Sequence, residues 1–189
     1  MAPPKLRRNI FRLVLLLLIL TLIFNFANPL KILYPMPFQE QIFASAAEFN
    51  VDPYFLAALT KTESSFQPEA VSPVGARGLM QIMPETGDWI AEQMHLEFYN
   101  QEMLFDPDIN IRMGAWYVAD LEREFAGNKI MVLAAYNGGR SNVAQWLKER
   151  RISGHLTDID SIPFPETRNF VGKVMLDYNI YVWIYRGNS

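Results

Sequence analysis

From Leu13 to Leu30 the chain carries no charged side chain, and Leu, Ile, Val and Phe dominate that 18-residue run. A helix over it would reach about 27 Å at ~1.5 Å per residue, close to the hydrocarbon thickness of a bilayer. A buried helix in a water-exposed domain keeps some polar positions, which this run does not supply. Lys5, Arg7, Arg8 and Arg12 precede it, and only Lys31 follows closely. That asymmetry predicts a cytoplasmic N-terminus, with residues from about 35 onward outside the cytoplasmic membrane. A cleaved signal peptide competes with this reading. Ala27 is the one small residue near the end of the run, and Asn25 two positions earlier makes a poor cleavage site. The expectation is therefore a single-pass transmembrane anchor over 13–30. A basic cytoplasmic end over 1–12 precedes it, and a Pro-rich linker over 31–38 follows.

Residues 39–189 are enough for one domain. Half of the chain is hydrophobic, which excludes a disordered body. The absence of cysteine excludes disulfides, a thiol nucleophile and a zinc finger, and two histidines argue against a multi-histidine metal centre. The basic residues of the first 31 positions are unopposed, whereas the remainder holds all 20 acidic side chains against 12 basic ones. An acidic body does not suit nucleic-acid binding through phosphate contacts.

The body reads as a series of helices. Gln39 to Phe49 forms one. Asp52 caps the next, with Pro53 at its first position, and it runs to Ser64. A short helix is expected from Leu79, another from Thr86 to His95, and a long one from Asp106-Pro107 to Gly127. Lys129 to Tyr136 is helical, Gly138-Gly139 breaks it, and Ser141 caps a helix through Glu149. Residues 152–164 are irregular, and Glu166 to Tyr185 forms a final apolar helix. It carries Lys173, Asp177 and Asn179, so it reads as a packed helix and not as a second span. No stretch alternates like a strand, and the class is all-α.

One carboxylate stands out. Phe55, Leu56 and Leu59 mark the buried face of the helix from Pro53. Glu63 follows them at helical spacing, where an apolar residue is expected, and Phe66 would continue the same side. Glu63 also lies in the last turn, where helix-end carbonyls disfavour a negative charge. Burial and dipole together raise its proton affinity and suit it to donate a proton. A frayed helix end with a wetted side chain is the plain alternative. The other acids are better explained as caps (Asp52, Asp106), as first-turn residues (Glu85, Asp88, Glu92) or as a solvated face (Glu122, Glu124). His95 and His155 are isolated. Ser64 and Ser65 have no histidine nearby, so no serine triad is indicated. Gly75-Ala76-Arg77-Gly78-Leu79-Met80-Gln81 joins close backbone approach to an amide side chain. Ala135-Tyr136-Asn137-Gly138-Gly139 offers an aromatic face beside an amide, a pairing suited to sugars. Taken alone, each is better explained as a tight turn and a helix cap.

The order of these pieces is more specific than any one of them. Glu63-Ser64, Ser72, Gly78-Leu79-Met80-Gln81 with Met83-Pro84, Ala135-Tyr136-Asn137 and Glu166-Thr167-Arg168 together resemble the soluble-lytic-transglycosylase family. The likeness covers about residues 40–185. It implies a goose-lysozyme-like helical domain over 39–189, cleaving peptidoglycan glycan strands with Glu63 as sole catalytic acid and base. It implies that Ser72, Gln81, Met83 and Tyr136 line the glycan site with Met80 and Asn137 in support, and that Glu166 belongs to the motif that packs the last helix against the cleft. It implies no metal and no cofactor. Phe170 stands where the family often has tyrosine, and Arg140-Ser141 where it often has Pro-Gly.

The implied reaction breaks the β-1,4 bond between N-acetylmuramic acid and N-acetylglucosamine and closes a 1,6-anhydro ring without water. One carboxyl suffices for it, unlike the paired acids of ordinary glycosidases. A goose-type hydrolase of the same bond and a non-catalytic wall-binding tether are the alternatives.

Overall fold

The computed structural model describes residues 4–26, 29–153 and 156–186. The chain divides into two compact units, Met1–Met36 and Pro37–Ser189. In the first, helix α1 spans Pro4–Phe26 and the short α2 spans Pro29–Leu33. The expected anchor over 13–30 falls on α1 as far as Phe26 and on α2 from Pro29, with residues 27 and 28 outside the described ones. The uncharged part of α1, from Leu13 to Phe26, reaches about 21 Å at ~1.5 Å per residue. Among the described residues no helix is long and apolar enough to cross a membrane. Ala27, on which the cleavage-site argument turned, lies outside the described residues, as does His155.

The second unit is helical throughout, with α3 (Gln39–Phe49), α4 (Pro53–Ser64), α5 (Pro84–Gln93), α6 (Pro107–Glu124), α7 (Lys129–Gly138), α8 (Arg140–Lys148) and α9 (Pro165–Tyr181). Short 3-10 turns cover Gln101–Phe105 and Leu156–Ser161, and a π turn covers Val182–Arg186. Helix starts follow local chemistry. Asp52 accepts from the Tyr54 N–H with Pro53 at the first position, and Asp106 accepts from Asp108 and Ile109 ahead of α6. Asn128 caps α7 in the same way. Ser141 does not cap α8; it lies inside that helix, because the cap position falls two residues earlier, on Gly139 at φ 90°.

Helix α4 is enclosed on nearly every side, with Phe55, Leu56, Ala57, Ala58 and Leu59 fully buried. It packs chiefly on α9, while α3 packs on α6 and α7 on both α8 and α9. The polar residues of α9 fit this packing. Buried Asp177 accepts from Lys61 of α4 at 2.8 Å, which ties the two helices near the end of α4. No strand occurs among the described residues, but Val71 bridges to Arg77 and Arg77 to Ile82. The short helix expected from Leu79 is absent. Gly78 and Gln81 both take positive φ, 75° and 49°, so the segment folds as a turn between those bridges. Phe66 likewise leaves the helical face on which it was placed. Ser65 and Phe66 adopt φ 53° and 62°, turning the chain away directly after Ser64.

Candidate active site

Glu63 sits in the last turn of α4, partly accessible to solvent. Its enclosure pushes the carboxyl up to about 8, and the opposing charge of Lys173 on α9 offsets part of that rise. The next residue anchors the helix end, since the Ser64 hydroxyl donates to the Leu79 carbonyl at 2.7 Å. This bond joins α4 to the turn that carries Met80 and Gln81.

That turn is clamped from the other side. The Asn110 carboxamide oxygen accepts from the Met80 N–H at 2.8 Å, and its amide donates to the carbonyls of Arg77 and Leu104 at 3.1 and 2.7 Å. A Cβ on Gly78 would stand 2.1 Å from the Leu104 carbonyl oxygen, so only glycine admits the approach. Met80 is fully buried against Gly114, where a Cβ would lie 2.1 Å from its sulfur. The Tyr136 hydroxyl donates to the Met80 carbonyl at 2.7 Å. Burial first, then the charge of Glu63 and the neighbouring Tyr117, hold that phenol well above its ordinary range, so it remains a donor. Tyr136 thus links the turn to α7 within electrostatic reach of Glu63.

The sequence-predicted residues sort into three groups. Gln81, Met83, Tyr136 and Asn137 line one hollow of about 320 Å³, together with Ile82, Thr86, Tyr117, Gly138 and Gly139. Met80 and Ser72 do not line it. Met80 is a buried support, and the Ser72 hydroxyl accepts from the Ala76 N–H at 2.9 Å inside the bridged turn. Glu166 is exposed in the first turn of α9 and does not line the hollow; its neighbour Thr167 does the joining, donating to Asn137 Oδ1 at 2.8 Å. The Gln81 amide donates to the Gly78 and Ala70 carbonyls at 2.8 and 3.2 Å, which leaves its carboxamide oxygen to meet a ligand.

Sequence reasoning did not single out Asn110 or Tyr117, and it named Thr167 only within a motif and Lys173 only as a polar residue of the last helix. Asn110 carried the signal that marked Glu63. It precedes Met113 and Gly114 by three and four residues, placing an amide within an apolar helical stripe. Glu122 also departs from its assignment to a solvated face: it is half-buried, burial raises its pKa, and Lys129 at 3.9 Å opposes the rise. Among the described residues no group of three or more His, Asp or Glu side chains is placed to hold a metal ion.

The second unit is similar to known proteins over most of its length. The description Transglycosylase SLT domain fits residues 40–158. The chain belongs to the transglycosylase SLT family. It is 33% identical over 159 residues to the soluble lytic murein transglycosylase of Escherichia coli K12, covering 82% of this chain and 24% of that protein. To the membrane-bound lytic murein transglycosylase C of Edwardsiella ictaluri it is 35% identical over 108 residues, 52% of this chain and 30% of the relative. An inactive mutant of the lytic transglycosylase Slt from Pseudomonas aeruginosa superposes with a TM-score of 0.75 at 34% identity, over 84% of this chain and 26% of that one. This SLT chain therefore spans about a quarter of the length of the soluble relatives it matches. The helical architecture expected from the sequence is the one these SLT structures share.

Proposed function

We propose that the chain is a peptidoglycan lytic transglycosylase. In this reading Glu63 is its single catalytic acid and base. The observation that carries the reading is the Glu63 carboxyl, raised to about 8 by enclosure and within electrostatic reach of Tyr136, which lines the hollow with Gln81, Met83 and Asn137. Protonated at neutral pH, Glu63 donates to the oxygen that links N-acetylmuramic acid to N-acetylglucosamine. The substrate's acetamido group steadies the positive charge at C1 as that bond breaks. The C6 hydroxyl then closes on C1 and returns its proton to Glu63, leaving a 1,6-anhydro end. No water is consumed, and the acid ends as it began.

Gln81 and Asn137 supply directed polar contacts to the glycan, Tyr136 and Met83 its apolar walls, and Ser72, Met80 and Glu166 act through the turn and the α9 start that hold those groups. The relatives named as murein transglycosylases support the substrate class. Digestion of purified sacculi followed by mass spectrometry tests the reaction. Anhydro-ended muropeptides from the wild type and none from Glu63→Gln are expected. Ends one water heavier identify a hydrolase instead, and no release at any pH identifies a wall tether.

The same chain is attached to a membrane through its apolar N-terminal segment and works on the outer side, where murein lies. The side chains from Ile10 to Leu20 on α1, Arg12 apart, are large apolar groups open to the surroundings, and Arg8 and Arg12 lie at the same end. Such a surface is stable in lipid and costly in water. Retention of the chain in carbonate-washed membranes is expected, with release once residues 1–36 are removed; equal release of both forms contradicts the attachment.

A further inference from the structure

Helix α9 packs on α4 and α7 with one side and turns another outward. Lys173, Leu176, Ile180 and Trp183 follow one another at three- and four-residue steps, which sets them along one side of α9 and into the π turn. Arg186 comes three residues after Trp183. Leu176 is 61% exposed and Trp183 66%, large apolar surfaces to leave in water. The stripe is also short of acid. From Lys173 to Arg186 the one carboxylate is Asp177, which is buried and taken by Lys61 at 2.8 Å. The exposed Glu166 lies two turns ahead of Lys173, outside that stretch.

Both ends of the stripe are cationic. Lys173 is exposed, and the carboxyl whose charge it meets, Glu63, holds its proton at neutral pH, so the ammonium is not neutralised there. Arg186 donates through Nη2 to Asp52 Oδ2 at 3.0 Å and lies 5.1 Å over the Tyr54 ring, yet its side chain stays 55% exposed with donors to spare. By contrast, exposed Phe98 directly follows exposed Glu97, and exposed Val71 lies two residues from exposed Glu69. The second unit carries an excess of acid, so an anionic surface repels most of it and admits a face of this kind.

We propose that this face of α9 and the π turn rests on the surface of an anionic phospholipid bilayer, with Leu176 and Trp183 at the level where headgroups meet acyl chains and Lys173 and Arg186 at the phosphates. A tryptophan ring with its indole N–H suits that level, which is apolar on one side and wet on the other. The inference rests on the membrane attachment of α1 proposed above. Only ten residues, 27–36, separate α1 from the second unit, so even a weak contact is made at high effective concentration. Lys173 is also the cation that reaches Glu63, so docking keeps the proposed acid close to the lipid and directs the unit at glycan lying next to the membrane.

The test uses the full chain in vesicles of phosphatidylcholine with about one third phosphatidylglycerol, with and without phosphatidylcholine brominated near the top of its acyl chains. All four tryptophans lie in the second unit, so quenching by the bromolipid reports contact of that unit and not of α1. Part of the tryptophan emission is expected to be quenched, and Trp183→Phe to abolish that quenching. Leu176→Glu, a change at an exposed position that leaves Trp183 in place, should reduce it about twofold or more, and so should vesicles of phosphatidylcholine alone. Unchanged thermal melts of both variants confirm that the fold is kept. A chain retained by the vesicles with no quenching overturns the docked face and leaves the attachment standing. Equal quenching in Trp183→Phe also overturns it, because another tryptophan then meets the lipid. A chain that washes off the vesicles fails the attachment, and the docked face with it.

Discussion

At the scale of single residues, Glu63 couples the proposed chemistry to pH in two ways. A carboxyl titrating near 8 is mostly protonated at neutral pH, so turnover should hold through pH 5–7 and fall on an alkaline limb near pH 8. A limb near 4–5 contradicts the assignment. Lys173 lowers the same group, so Lys173→Met should move the limb to higher pH without altering its shape. The stability consequence has the opposite sign to that of an ordinary ion-paired acid. Between the unfolded value of 4.5 and the folded value of about 8, the native state binds the extra proton, so stability falls as pH rises across that window. Glu63→Gln removes the slope. It should leave stability at pH 4 nearly unchanged and raise it at pH 8.5 by about 1–4 kcal/mol, as thermal melts at the two pH values will show. Glu63 could be found in the sequence because it breaks a local pattern. The Tyr136 hydroxyl bond to Met80 could not, since it joins positions 56 residues apart and leaves no trace in either neighbourhood.

At the scale of elements, helix starts were legible wherever a capping side chain and a proline specify them over three or four residues, as at Asp52-Pro53 and Asp106-Pro107. The segment from Gly78 to Ile82 was not, because its shape comes from outside. Asn110, about 30 residues away, holds it by accepting from the Met80 N–H and donating to the carbonyl of the preceding Arg77, while it also donates to Leu104. Asn110→Ala leaves the Met80 N–H and two carbonyls without that partner in a buried place. It should cost about 2–4 kcal/mol in urea unfolding and lower affinity for short saccharides through the displaced Gln81. Gly78→Ala should be at least as damaging, since the added carbon meets backbone and the φ of 75° is disfavoured as well. Near-native stability of both variants would contradict the clamp.

At the scale of the whole molecule, the chain joins an apolar N-terminal unit to an acidic second unit, which in the proposed role has no charge attraction for an anionic wall. Tethering substitutes proximity for affinity. Removal of residues 1–36 should therefore leave the rate on soluble glycan fragments unchanged and reduce wall turnover in cells; equal trimming by both forms removes the need for the tether. The class of the fold was readable from helical periodicity across residues 39–189, whereas the outline of the hollow was not, because its walls come from α5, α6 and α7 and from the turn between α4 and α5.

The dependence of the Met80 turn on Asn110 also orders events during biosynthesis. A nascent chain presents Glu63 well before it has made α6, the helix that seats the Met80 turn, and α9, which packs on α4, follows later still. A half-made copy therefore carries the carboxyl without the neighbours that enclose it, and the unusual hold on its proton arises only as those later helices fold into place.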